Sequence, residues 1–302
     1  MEEKKIPPKI PKKIACHDLD GSFSHNMAYY EWEATGKFKH HVICLHALTH
    51  NGRMFDYLAK NLSQHGFHVI CPDIVGRGKS DYLIDKTHYG YPLYVKSVFE
   101  LIDRLGLKKV HIVGTSMGGI IATMITGSER NLKENIVQKL VLNDVGPFIP
   151  KEAIKRISEY VGKRLEFDDL EHEKRALRLV FKDFGLFNKK EHEEHFFEHY
   201  IQKLPSGNYN LNYDPAISLA YINKRGKPRM AFDFAFWEVW EKIICEVMVI
   251  RGEKSDLLLQ ETLGQMCESK NIKKTLIIND VGHAPMLMES SEIHEVREFL
   301  ER

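Results

Sequence analysis

The sequence predicts an α/β fold built on a mostly parallel sheet. Three observations lead there. Short continuous apolar runs, the mark of strands buried on both faces, recur at His41–Leu45, Phe67–Cys71, Val110–Val113 and Ile136–Asn143. Stretches with helical potential alternate with them. The alternation stops at Pro147, gives way to charged, aromatic-bearing helical segments, and resumes at Val247.

The bulk properties narrow the function. A chain of 302 residues with 43% hydrophobic and 28% charged content is a globular protein with a large core. Lys plus Arg (43) nearly balances Asp plus Glu (42), so no strong field is available to recruit nucleic acid or an anionic membrane. The five cysteines are odd in number and show no C-x-x-C spacing, which argues against a disulfide framework and for a reducing, cytoplasmic setting. The N-terminal stretch lacks the apolar core of a secretory signal. No apolar run approaches the roughly 18 residues of a membrane span.

In chain order, residues 1–13 read as an extended arm. Ile14–His17 and Met27–Thr35 read as strands joined by a turn at Asp20-Gly21. The run His41–Leu45 leads into His46-Ala47-Leu48-Thr49 and a helix from Met54 to Gln64. Phe67–Cys71 leads into Asp73–Ser80, whose glycines miss the spacing of a phosphate-binding loop and which therefore reads as a surface loop. Tyr91–Leu105 places Val95, Val98, Phe99, Ile102 and Leu105 on one helical face, with Gly106 as its cap. Beyond the insertion come a strand at Val247–Arg251, a helix near Leu257–Cys267, a strand at Lys274–Ile278 and a last helix near Ser291–Leu300. Domain boundaries follow: a core formed by 1–146 and 237–302, interrupted by a helical cap at 147–236.

The most informative stretch is Val110–Gly119. It holds Gly114-Thr115-Ser116-Met117-Gly118, a G-x-S-x-G pentapeptide between a strand and a helical segment. That context suits a sharp turn that pushes the serine hydroxyl clear of the chain, beside the free N–H groups of a helix start. A serine hydroxyl needs a base, and the base needs an orienting acid. Two later strand ends offer them: Asp256 in Arg251–Asp256, and His283 in Gly282-His283-Ala284-Pro285. Asp144, after the strand that follows Ser116, is a rival acid, and Glu253 a weaker one. Active sites of open α/β sheets form along the edge where these loops lie.

The His46 loop, the Asp73–Ser80 loop, the Gly114–Gly119 elbow, the Asp256 loop and the Gly282-His283 turn, in this order, resemble an α/β-hydrolase over nearly the whole chain outside the insertion. The resemblance implies an eight-stranded sheet whose second strand is antiparallel, with the cap between strands six and seven. It implies Ser116 as nucleophile, His283 as general base and Asp256 as the acid. The backbone N–H groups of Met117 and Leu48 would form the oxyanion hole, although Ala47 stands where the family usually has glycine. The implied activity is cofactor-independent hydrolysis of an ester, thioester or lactone through an acyl-enzyme. A serine at the elbow also suits acyltransferases, carbon–carbon bond hydrolases and perhydrolases. It does not suit the aspartate-dependent dehalogenases and epoxide hydrolases. A non-enzymatic ligand-binding module would be expected to lack part of the triad. Small-molecule substrate is the expected partner; the sequence is silent on oligomeric state.

One motif stands apart. His195-Phe196-Phe197-Glu198-His199 matches H-x-x-E-H, and His192, His195 and His199 share a helical face. With no third ligand evident, the expectation is a solvated face of a cap helix and no catalytic metal.

Overall fold

The structure, a computed structural model, describes residues 6, 9–163, 166–220 and 233–302. Part of the expected arm, Tyr221 and much of the run before Phe236 lie outside the described residues.

Eight strands form one sheet: β1 (Lys12–His17), β2 (Ser24–Trp32), β3 (His41–Leu45), β4 (His68–Pro72), β5 (Val110–Thr115), β6 (Val137–Asn143), β7 (Glu246–Gly252) and β8 (Ile272–Ile278). Their order across the sheet is β1-β2-β4-β3-β5-β6-β7-β8. Strand β2 pairs antiparallel with both β1 and β4, and every other pairing is parallel. The expected sheet is therefore present, including its one antiparallel member.

The central strands are continuous apolar runs because both of their faces are covered. In β3, Ile43 and Leu45 belong to one core and Val42 and Cys44 to the other. In β7, Val247 and Val249 face the first, Met248 and Ile250 the second. This is the period of two expected of a strand. Helices α1 (Asp56–Gln64) and α10 (Ser290–Glu301) cover the second face through Leu58, Leu62, Val296 and Phe299. Helices α2 (Tyr91–Arg104) and α3 (Met117–Thr126) cover the first through Leu93, Val98, Ile120 and Ile121, joined there by α9 (Gln260–Met266). Edge strand β8 alternates half-buried with exposed residues, as a strand with one open side should.

Between β6 and β7, where a helical insertion was expected, lie α5 (Lys151–Tyr160), α6 (Leu170–Val180) and α7 (Lys190–Tyr200); the short α4 (Glu129–Glu134) precedes β6 and the short α8 (Trp237–Trp240) precedes β7. Two pairs of short strands accompany them, Phe148–Ile149 with Phe234–Ala235 and Ile201–Lys203 with Tyr209–Leu211. The aromatic residues of this region largely form its own packing. Phe181, Phe196 and Tyr200 meet ring to ring at 4.6–5.3 Å.

Candidate active site

The site is assembled at the C-terminal ends of β3, β5, β6, β7 and β8. Strand β5 ends at Thr115, and Ser116 turns the chain into α3 with φ 51° and ψ −117°. A residue other than glycine held there is strained, and surrounding contacts must impose the geometry. Two glycines allow it. A Cβ on Gly114 would lie 2.5 Å from the Gly118 carbonyl oxygen, and one on Gly118 would lie 1.9 Å from that of Leu45. The helix must pack this closely against β3 and β5, so any larger residue collides with backbone.

Ser116 Oγ lies 2.8 Å from His283 Nε2. On the other side of the ring, His283 Nδ1 lies 2.6 Å from Asp144 Oδ2. A carboxylate only accepts, so Nδ1 carries the proton and the Nε2 lone pair faces the serine hydroxyl. Asp144 is fully buried, with φ 58°. Its Oδ1 accepts from the Gly252 N–H at 2.8 Å, and its Oδ2 from the Ser255 hydroxyl at 2.6 Å. The Asp144 carboxylate is thus held against His283 by hydrogen bonds from the β7 end.

This corrects the expectation for the acid. Asp256 does not reach His283. Its carboxylate is gripped by Arg156 of α5, with Nε to Oδ2 at 2.5 Å and Nη2 to Oδ1 at 2.8 Å, and it is about half exposed (48%). The 252–258 loop does serve the site, but through Gly252 and Ser255, which brace Asp144. Glu253 is also occupied elsewhere, accepting from the Asp280 N–H at 2.8 Å.

Leu48 and Met117, the expected oxyanion donors, both line the cavity that contains Ser116 and His283. As the first residue of α3, Met117 has an N–H with no carbonyl behind it in the helix to bond. The Leu48 loop is clamped from two directions. The ring of His46, completely buried, donates from Nδ1 to the Ala47 carbonyl at 2.7 Å and accepts at Nε2 from the Ile74 N–H at 2.9 Å. Burial lowers its pKa to about 3, so it stays neutral and can do both. From the other side, Arg77 donates from Nε to the Leu48 carbonyl at 2.9 Å and from Nη1 to that of Val75 at 2.8 Å. Its Nη2 lies 3.4 Å from Met117 Sδ.

Arg77 therefore overturns the reading of Asp73–Ser80 as a surface loop. Asp73 and Arg77 are wholly buried there and Ser80 nearly so. What the sequence offered was the pair of glycines, Gly76 and Gly78, that brackets Arg77; in the structure both take positive φ (83° and 56°), which glycine tolerates without strain.

Most of the remaining cavity wall is apolar, with Ile120, Ile149, Ile154, Ile157, Phe184 and Leu257 among its residues. The H-x-x-E-H histidines lie elsewhere, and the expected solvated face is not what they form. His192 and His195 are buried against the first turn of α1, with the Tyr57 ring 4.8 and 5.4 Å from theirs. His195, His199 and Asp56 come together, but the Asp56 carboxylate already pairs with Arg53 at 2.5 Å and His195 Nε2 with the Arg53 carbonyl at 3.1 Å. A fixed guanidinium beside the carboxylate repels a metal cation.

Comparison with known proteins agrees with this architecture. The sequence profile of the alpha/beta hydrolase fold matches residues 40–289. The 3-hydroxybutyrate-oligomer hydrolase of Cupriavidus necator is 35% identical over 279 residues, spanning 91% of this chain and 92% of that protein. A solved structure from Rickettsia typhi superposes with a TM-score of 0.85 at 30% identity, covering 98% of this chain and 99% of that one. An alpha/beta hydrolase from Novosphingobium aromaticivorans does so at 0.82 and 26%, again over 98% and 99%. The chain belongs to the α/β-hydrolase family.

Proposed function

We propose that this protein is a cofactor-independent serine hydrolase of carboxylic esters, working through an acyl-enzyme on Ser116. The observation that carries the reading is the continuous relay Ser116–His283–Asp144, with contacts of 2.8 and 2.6 Å, opening on an apolar cavity. In the first step His283 Nε2 takes the Ser116 proton as Oγ attacks the ester carbonyl carbon. The resulting oxyanion is held by the N–H groups of Met117 and Leu48. The imidazolium then protonates the leaving alkoxide and the carbon–oxygen bond breaks, leaving the acyl group on Oγ. Water enters, gives its proton to His283, and releases the acid by the same path in reverse. Asp144 holds the Nδ1 tautomer throughout and stabilises the imidazolium.

The helical region 147–236 acts in this reading as a cap that walls the acyl site. The substrate is a small molecule, and a short hydroxyacid ester of the kind named for the Cupriavidus relative suits the apolar wall. Five free thiols favour a reducing compartment, hence the cytoplasm. Among the described residues no helix is long and apolar enough to cross a membrane.

The test is an ester panel of graded acyl length, run beside thioesters and lactones, on wild type and Ser116→Ala. Wild type should turn over the short esters, and Ser116→Ala should lose activity by about 10⁴-fold or more. Equal turnover by the two proteins sinks the proposal.

A further inference from the structure

Several polar side chains of the cavity wall take no part in the relay, and His50 is one of them. His50 follows the oxyanion loop and is 5% exposed. Its backbone N–H is satisfied by the Ala47 carbonyl at 3.1 Å. Its ring is caged by aromatics, Phe181 at 5.7 Å, Phe196 at 5.8 Å and Tyr200 at 4.9 Å. Neither Nδ1 nor Nε2 has a hydrogen-bond partner among the described residues. A buried imidazole with both nitrogens open is costly, by about 1–3 kcal/mol for each polar atom, and calls for an explanation.

The neighbours sharpen the point. Thr49, also in the wall, already accepts from the Tyr200 hydroxyl at 2.7 Å. Tyr160 is engaged by Arg156. His50 lines the same cavity as Ser116 and His283, and no Lys or Arg stands among that wall's described residues. Burial, aided by His283, brings its pKa down to about 3. At neutral pH it therefore offers one N–H donor and one lone pair, without charge.

We propose that His50 is a specificity-determining residue that hydrogen-bonds a hydroxyl on the acyl chain of the substrate, so that the site prefers hydroxyacyl esters to plain acyl esters. A hydroxyl both donates and accepts, as does a neutral imidazole. A carboxylate in the same place would be stripped of water beside an uncharged wall, with no cation to pair it. The proposal rests on Ser116 being the nucleophile and adds the residue that recognises the hydroxyl of a hydroxyacyl substrate.

The experiment compares matched esters, 4-nitrophenyl 3-hydroxybutyrate and 4-nitrophenyl butyrate, on wild type, His50→Phe and His50→Asn. The readout is the ratio of the two kcat/KM values, with kcat and KM resolved. Wild type should favour the hydroxy ester by about tenfold or more. His50→Phe should bring the ratio to about one. His50→Asn, which keeps a donor and an acceptor, should restore part of it. A purely structural role would lower both esters together and leave the ratio unchanged in all variants, and that result overturns the proposal. A wild-type ratio near one with brisk butyrate hydrolysis defeats the His50 assignment alone. Hydrolysis of neither ester by wild type defeats it together with the hydrolase reading. Should His50→Phe not fold, the wild-type ratio and the Asn variant decide the matter.

Discussion

Exchanging one oxygen for nitrogen in Asp144 gives the sharpest contrast the site offers. In Asp144→Asn, the side-chain oxygen can keep the Gly252 N–H, now 2.8 Å from Oδ1. The amide NH₂ then occupies the position of Oδ2, which lies 2.6 Å from both His283 Nδ1 and Ser255 Oγ. Two donors cannot face each other, so His283 gives up the Nδ1 proton and carries it on Nε2. Nε2 then points a proton at Ser116 Oγ instead of a lone pair. The base is lost while the geometry survives, and a loss of about 10³–10⁴-fold in kcat follows for a triad with the wrong tautomer. Asp256→Asn removes only one charge of a half-exposed pair with Arg156. Such a pair contributes roughly 0–1 kcal/mol to stability, and activity should stay within about twofold. The assay is kcat/KM on a short ester, with melting temperature as the control for folding. If Asp256→Asn is the dead variant and Asp144→Asn the live one, the reasoning from the relay is refuted.

Three further outcomes follow from the same packing. Arg77→Met should strand the Leu48 and Val75 carbonyls, lowering stability by about 2–4 kcal/mol and kcat/KM by tenfold or more; a fully active, equally stable variant would mean the oxyanion loop is held by other contacts. Gly118→Ala puts a methyl 1.9 Å from the Leu45 carbonyl oxygen and should cost about 3 kcal/mol or more, read as loss of soluble protein or a large fall in melting temperature; a wild-type melting curve would contradict the close helix–strand packing. Glu173, wholly buried in α6 with neither carboxyl oxygen partnered among the described residues, has its pKa raised by burial to about 7. The unfolded chain ionises this group near its ordinary value of about 4.5, while the folded chain keeps the proton to about pH 7. The folded state thus holds more protons in between, and stability falls as pH rises through that window. Glu173→Gln should flatten this slope in chemical denaturation at pH 5 and pH 8, and an unchanged slope would assign it to other groups.

The sheet was legible because its strands are buried on both faces and so stand out as continuous apolar runs between amphipathic helices. Ser116 and His283 were legible because each sits at a strand end in a motif that makes sense only there. The acid was not. Both Asp144 and Asp256 follow parallel strands, and spacing along the chain does not say which carboxylate turns toward His283. The choice is made by the left-handed backbone of Asp144 and by Arg156, which binds Asp256 from 100 residues away in sequence. Arg77 was missed because charge suggests exposure, whereas its three nitrogens all find acceptors inside. The α7 histidines were misread for the related reason that an imidazole can serve as a core residue, as His192 and His195 do against Tyr57.

The central claim, that Ser116 is a nucleophile activated by His283, is tested most directly by intact-mass spectrometry after brief exposure to a fluorophosphonate. Wild type should gain one phosphonyl adduct, mapped by peptide sequencing to Ser116, with the rate reduced by about a thousandfold or more in His283→Ala and no adduct in Ser116→Ala. An unlabelled, folded wild type, or an adduct that persists in Ser116→Ala, would contradict it.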